Sequence, residues 1–347
     1  MSHYIDTFPG RKITLSGVSH LYFGGTSYLG LQTDGDFQKL FVSNIKKYGT
    51  NYGASRKSNI RLSVFDEAEI YLARLAGSEA CITLSSGYLA GQFIAQALKT
   101  KAHQFFYAPN THSALYQTKT KPYTTFAALN IAVREHLESS KSTPIVFLDS
   151  IDFSGCNFPD FEALKILPLE EIILVVDDSH GLGIVGKNGG GVYAILNQLK
   201  IKELIVCGSL GKGFGIQAGA ILGSKERIDL LTETSFFGGA SPAIPAAMAT
   251  LIEADAIYEI KRKRLKRNMD LFFNKLKKRK AFHFMKGHPA YTFSDVQLTE
   301  YLEANRIIVT SFPYPDKNAP LMSRIVLSAS HKKKDIEHVL HCINILP

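Results

Sequence analysis

The chain has no C-x-x-C pair: its four cysteines, Cys81, Cys156, Cys207 and Cys342, are scattered over 347 residues. No metal site is therefore expected. Cys81 and Cys207 fall inside apolar runs that read as buried strands, so free thiols in a reducing compartment are expected. The amino terminus, MSHYIDTFPGRK, lacks an apolar stretch after a basic start, and no apolar run is long enough to span a bilayer. Neither a secreted nor a membrane protein is expected, and the cytoplasm is the default location. Internal repeats, low-complexity tracts and linker-like stretches are missing too. What is present is 45% hydrophobic residues, enough to bury an ordinary core in one large or two medium domains.

Acidic residues are in deficit, leaving a formal charge of +9 that is concentrated in Lys261 to Lys280, KRKRLKRNMDLFFNKLKKRK. Leu265, Met269, Phe272, Phe273 and Leu276 recur there at helical spacing, so the basic residues form the outer face of an amphipathic helix. A solvated helix face accounts for such a run, and attraction of an anionic substrate is the other reading. Nucleic acid is not an expected partner, because no interleaved aromatics or groove-reading motif accompany the charge.

Short apolar runs are each followed by a polar or glycine-rich turn and then a helical pattern, the mark of an α/β fold with a mainly parallel sheet. The runs are Cys81 to Leu84, Ile145 to Leu148, Ile172 to Val176, Leu204 to Cys207 and Ala220 to Leu222. From about Ala249 the pattern shifts to long charged helices and then to short segments such as Ile307 to Thr310 and Ile325 to Ser328. The expected division is a short segment 1–30, a large α/β domain 31–248 and a small α+β domain 249–347. Ligands of open α/β sheets bind beyond the carboxyl ends of the strands. Ser85-Ser86-Gly87, Asp149, Asp177, Asp178, Ser209 and Lys212 stand just after these runs.

Gly208 to Gly219, GSLGKGFGIQAG, embeds Lys212 among five glycines. Such a turn lets a flat ligand approach the backbone, and a lysine without access to solvent can form an imine. Alone, the segment also fits a glycine-rich loop with an exposed lysine. Val175 to Gly183, VVDDSHGLG, ends a strand at Asp177. A carboxylate there can keep a pyridine nitrogen protonated, the condition for the ring to act as an electron sink. His180 would lie near that ring's phenolic oxygen, or simply bond within its own loop. Ser85 to Gln92, SSGYLAGQ, opens a helix whose free N–H groups suit a phosphate, as many small-residue turns do. His112, in APNTHSALYQ, is either a ring-stacking residue or a surface histidine.

Together with SYLGL at Ser27 to Leu31, YGTNYGASR at Tyr48 to Arg56 and RIVLSASH at Arg324 to His331, these motifs resemble the α-oxoamine synthase family of fold-type I pyridoxal-phosphate enzymes. The resemblance covers nearly the whole chain. It implies pyridoxal 5′-phosphate as cofactor and a small amino acid and an acyl thioester as substrates, with a homodimer whose sites lie at the subunit interface. It also implies Lys212 as Schiff-base lysine, Asp177 as partner of the pyridine nitrogen, His112 on the ring and His180 at the phenolic oxygen. Ser209, with Ser86 and the backbone of Gly87 and Tyr88, would take the phosphate. Arg324 would take the substrate carboxylate, with Thr26 on the substrate side. The family usually has asparagine at Thr26, glutamate at Asp149, histidine at Phe65 and hydroxyl residues near Gly239 and Ala240, and its leading helix is mostly missing here. Transamination or aldol cleavage would use the same cofactor residues, and a non-catalytic descendant ranks last because Lys212 and Asp177 are both retained.

Overall fold

The computed structural model of the chain describes residues 3–153, 155, 157–313, 318–319 and 321–345. Two compact units emerge. Unit one comprises Met1–Gln38, Phe153–Gly155 and Ala256–Pro347, and unit two comprises Lys39–Asp152 and Cys156–Asp255. In chain order the strands are β1 (Lys12–Leu15), β2 (Val18–Phe23), β3 (Ala80–Leu84), β4 (His103–Tyr107), β5 (Thr143–Asp149), β6 (Ile173–Asp177), β7 (Glu203–Ser209), β8 (Gly219–Gly223), β9 (His283–Phe284), β10 (Ala290–Phe293), β11 (Ile307–Pro313) and β12 (Leu321–Val326).

Unit two is built on the sheet β3-β8-β7-β6-β5-β4, in which β4 to β7 run parallel. The interiors of β5, β6 and β7 are wholly buried, which is why their sequences are unbroken apolar runs rather than alternating ones. Ile82, Phe93, Phe147, Val175 and Ile205 share one core between the sheet and its helices, each worth about 1.5–3 kcal/mol on burial. Helices start and stop where the sequence provides caps. Ser86 accepts from Leu89 N to open Gly87–Ala97, and Gly77, at φ 79°, ends Ser63–Ala76 by donating to Ala73 O.

Two strand expectations need correction. The Ala220 to Leu222 run forms β8, but it is antiparallel to both neighbours. The connection from Ser209 to Gly219 is too short for a crossover, and Leu210 N donates to Ala218 O at 2.9 Å, so the chain folds straight back. Strand β4 was not expected at all, because its sequence, HQFFY, opens with polar residues that are not fully buried.

Unit one holds the sheet β1-β2-β11-β12-β10-β9, antiparallel except for the β2–β11 pair. The helix Asp255–Lys275 buries Tyr258, Leu265, Asn268 and Phe272, while Met269 and Phe273 are half-buried. Its basic face is solvated and partly neutralised by ion pairs, Lys263 with Glu259, Lys266 with Asp270 at 2.6 Å and Lys275 with Glu337 at 2.9 Å. Such exposed pairs contribute little each. Cys81, Cys207 and Cys342 are buried free thiols, and Cys156 lies outside the described residues. Among the described residues, no helix is long and apolar enough to cross a membrane.

Candidate active site

The carboxyl edge of the unit-two sheet gathers most of the residues singled out in the sequence. Asp149 and Asp177 end β5 and β6 and are register partners, and Ser209 ends the next strand. Partners on neighbouring parallel strands project to the same face, so two carboxyls stand side by side. Asp177 is nearly buried and its Oδ1 accepts from Ser179 N at 2.8 Å. Asp149 accepts from the backbone N–H of His112 at 3.0 Å. Burial drives the Asp149 carboxyl well above the ordinary carboxylate range and Asp177 adds to this, while the His112 N–H and Lys212 pull it back.

His112 caps the short turn Ser113–Leu115 by accepting from Ala114 N through Nδ1 at 3.1 Å. That bond leaves the proton of the neutral ring on Nε2. Burial lowers its pKa; Asp177 opposes the shift and Lys212 reinforces it. Lys212 Nζ lies 2.8 Å from His180 Nε2, and a protonated lysine donates in that contact. His112, Asp149, Asp177, His180 and Lys212 therefore form one cluster.

The phosphate-type elements converge on the same edge. A Cβ on Gly87 would sit 2.6 Å from the backbone and Cβ of Ser209, so only glycine lets the first turn of Gly87–Ala97 close on the end of β7. The amino end of that 11-residue helix directs free N–H groups and a partial positive charge there. Ser209 Oγ accepts from Gly211 N at 3.2 Å, and Ser86 Oγ is engaged as the helix cap. The Tyr88 side chain is 59% exposed, so only its backbone is suited to the turn. Ser85 N donates to Ser241 O at 3.2 Å, which brings the chain just after Gly239 and Ala240 to this turn.

Two residues prominent in the geometry received no role from the sequence. Ser179 Oγ accepts from Ser209 N at 2.9 Å and ties the loop after β6 to the end of β7. Asp178, fully buried, accepts from Ser150 Oγ at 2.5 Å and from Val192 N at 2.9 Å. A Cβ on Gly181 or Gly191 would lie 2.0 or 2.1 Å from its oxygens, so these glycines make room for the carboxyl. Burial raises the Asp178 pKa to about 7. The signal lay within VVDDSHGLG, which supplies all four of Asp177, Asp178, Ser179 and His180.

Phe65 is 1% exposed and stacks under the Arg56 guanidinium at 4.3 Å. Arg56 in turn makes a bidentate pair with Glu69 at 2.8 and 3.0 Å. The position is a core slot of unit two.

Arg324 and Thr26 belong to unit one. Arg324 lies on β12 between Thr310 and Thr292, its register partners on either side, and is only 9% exposed. The Phe153 ring covers its guanidinium at 3.4 Å, and Nη2 donates to Met322 Sδ at 2.9 Å. Half-buried Thr26 follows Gly25, whose N–H donates to Thr310 Oγ1 at 3.0 Å.

The donor set suits pyridoxal phosphate. A glycine-cleared helix end would suit a phosphate's charge, paired carboxyls at two strand ends would match a pyridinium cation, and Lys212 lies in the same cluster. Comparison with known proteins agrees. Residues 27–343 match the aminotransferase class I and II family. The chain is 25% identical to an 8-amino-7-oxononanoate synthase of Thermosipho melanesiensis, covering 97% of this chain and 90% of that protein. It is 26% identical to a serine palmitoyltransferase of Bacteriovorax stolpii, covering 97% and 84%. A solved structure described as SPT with PLP superposes with a TM-score of 0.83 at 19% identity, covering 99% of this chain and 91% of that one, and bears out the fold-type I architecture. The chain belongs to the aminotransferase class I and II family and, within it, to the α-oxoamine synthases, the pyridoxal-phosphate-dependent C-acyltransferases that its motifs resemble.

Proposed function

We propose that this enzyme condenses a small amino acid with an acyl-CoA or acyl-carrier thioester, with loss of carbon dioxide, in the manner of an 8-amino-7-oxononanoate synthase. The observation that carries the reading is the cluster at one sheet edge, with Lys212 Nζ 2.8 Å from His180 Nε2 and Asp177 paired beside Asp149. When bound, the cofactor withdraws electrons from the substrate α-carbon. Lys212 anchors the cofactor and takes the α-proton. Asp177 keeps the pyridine nitrogen protonated by ion pairing, an electrostatic role that its near-burial strengthens. His112, fixed by Asp149 and its own cap, presents its ring to the cofactor's face, and His180 binds the phenolic oxygen. Ser86, Ser209 and the backbone of Gly87 and Tyr88 hold the phosphate, and Arg324 grips the substrate carboxylate in two-point fashion, with Thr26 on the substrate side. The α-carbon takes the acyl group as the thiol leaves with a proton, and the carboxylate held by Arg324 then leaves as carbon dioxide while a proton returns to that carbon.

The similarity to serine palmitoyltransferases supports the same reaction class with a different amino acid and acyl chain. Biotin synthesis and sphingolipid synthesis are thus the two pathway settings, of which we propose the first. We also propose a cytoplasmic homodimer. The homodimer is what the family resemblance implies. The test mixes holoenzyme with glycine, alanine or serine and a panel of acyl-CoAs or acyl-carrier thioesters, and measures free thiol and carbon dioxide. Consumption of a thioester with stoichiometric carbon dioxide supports the reading. Amination of a keto acid without thioester consumption replaces it with an aminotransferase.

A further inference from the structure

Phe153 adopts φ 56°, a strained conformation rare for a bulky aromatic residue that persists only where its surroundings impose it. Three contacts within unit one do so. Thr292 Oγ1 donates to the Phe153 carbonyl at 3.3 Å. The edge-on ring of His288, 1% exposed, lies 5.8 Å from the Phe153 ring at an interplanar angle of 73°. The Arg324 guanidinium carbon stands 3.4 Å from the Phe153 ring centroid. His288 also meets fully buried Tyr28 at 5.3 Å. The Tyr28 hydroxyl is raised in pKa by burial and held back by Arg324, so Tyr28 is close enough to feel that charge.

A guanidinium carries all its donors in one plane. A ring stacked on one face removes water from that face, fixes the plane and leaves the edges as the route for a ligand. A planar carboxylate meeting such an edge makes two parallel bonds at little further ordering cost. We propose that Phe153 is a positioning residue for Arg324 and sets this enzyme's affinity for the α-carboxylate of its amino-acid substrate. The inference rests on the reading of Arg324 as the carboxylate-binding residue. It also explains why a strained aromatic is kept at this position, where an unstrained residue would leave the arginine free to turn.

Phe153→Gly separates the ring from the strain, since glycine adopts φ 56° freely and its backbone should not weaken folding there. Phe153→Tyr keeps the stacking surface and serves as the rescue. Holoenzymes of the wild type, both variants and Arg324→Ala are titrated spectrally with glycine, alanine and serine, with cofactor affinity and melting temperature measured in parallel. Phe153→Gly is expected to weaken all three amino acids about tenfold, about 1.4 kcal/mol, and Phe153→Tyr to restore them. In Phe153→Gly, cofactor affinity should hold, and Phe153→Tyr should match the wild type in melting temperature. Wild-type amino-acid affinity in Phe153→Gly, beside a loss in Arg324→Ala, overturns the role of Phe153 alone. Wild-type affinity in Arg324→Ala overturns the carboxylate reading and this inference with it.

Discussion

Asp178→Asn should abolish a pH-dependent loss of stability that the wild-type protein carries. Asp178 is fully buried with a pKa of about 7 against an ordinary 3.8, chiefly through burial, with Asp177 adding to it and the bonds from Ser150 and Val192 opposing it. The folded state therefore binds more protons than the unfolded state between these two values. Its stabilising share is full below pH 3.8, falls as pH rises through the window and is spent above about 7. At about 1.4 kcal/mol for each tenfold change, the whole shift corresponds to about 4 kcal/mol, an upper bound because buried sites relax. An asparagine reproduces the protonated acid: its oxygen accepts from Val192 N and its amide donates to Ser150 Oγ, the two partners of Asp178. Asp149 remains in both proteins, and burial holds the Cys207 thiol well above the ordinary thiol range, beyond the pH range of the test. Urea unfolding of cofactor-free wild type and Asp178→Asn at pH 5, 6, 7 and 8 is the assay. The variant should gain on the wild type from pH 5 to 7, and the difference should level off beyond. Parallel curves across that range would refute a buried, high-pKa carboxyl at position 178.

Borohydride reduction of the holoenzyme followed by peptide mass spectrometry should place a pyridoxyl adduct on Lys212; an adduct on another lysine removes Lys212 from its role. Asp177→Asn should keep the cofactor but slow exchange of the alanine α-proton with deuterated solvent by about 10²–10³-fold, and unchanged exchange with bound cofactor excludes the ion pair. Gly87→Ala forces a Cβ to 2.6 Å from the Ser209 backbone, so cofactor affinity should fall tenfold or more and the melting temperature should drop. Equilibrium dialysis and a melting curve check both, and wild-type values would show that the turn is looser than its geometry implies.

How much of this was legible in the sequence depends on how local each cause is. Strands β5, β6 and β7 could be read because burial on both faces leaves an apolar run with nothing to interrupt it. The direction of β8 follows from the length of the loop before it, a cause that its apolar run alone does not carry. Strands β1 and β2, KITL and VSHLYF, contain many exposed or half-buried residues and leave no comparable run. The cofactor-side cluster was legible because strand ends share one edge of a parallel sheet, so Asp149, Asp177, Ser209 and the Ser86-Gly87 turn are brought together by topology alone.

Residues whose roles depend on side-chain stacking left no such trace. Phe65 stands out in the sequence only as a departure from the family's histidine. Its ring lies beneath Arg56, whose bidentate partner Glu69 also accepts from Thr83 N at 2.7 Å. The Arg56–Phe65 stack and this carboxylate link together hold the helix Ser63–Ala76 to β3, the strand that runs into the Ser86-Gly87 turn. An imidazole there would put a polar ring in a slot that is 1% exposed, and an unsatisfied ring nitrogen would cost about 1–3 kcal/mol. The substitution therefore fits the chain's own packing and leaves the residues at the carboxyl edge in place. Phe153 is the opposite case: its backbone is strained, its contacts come from β10 and β12, and nothing in FSG or its neighbours signals a positive φ. Motif matching finds residues that gather at one strand edge, whereas a ring that stacks on an arginine from another part of the chain emerges only once the strands are paired.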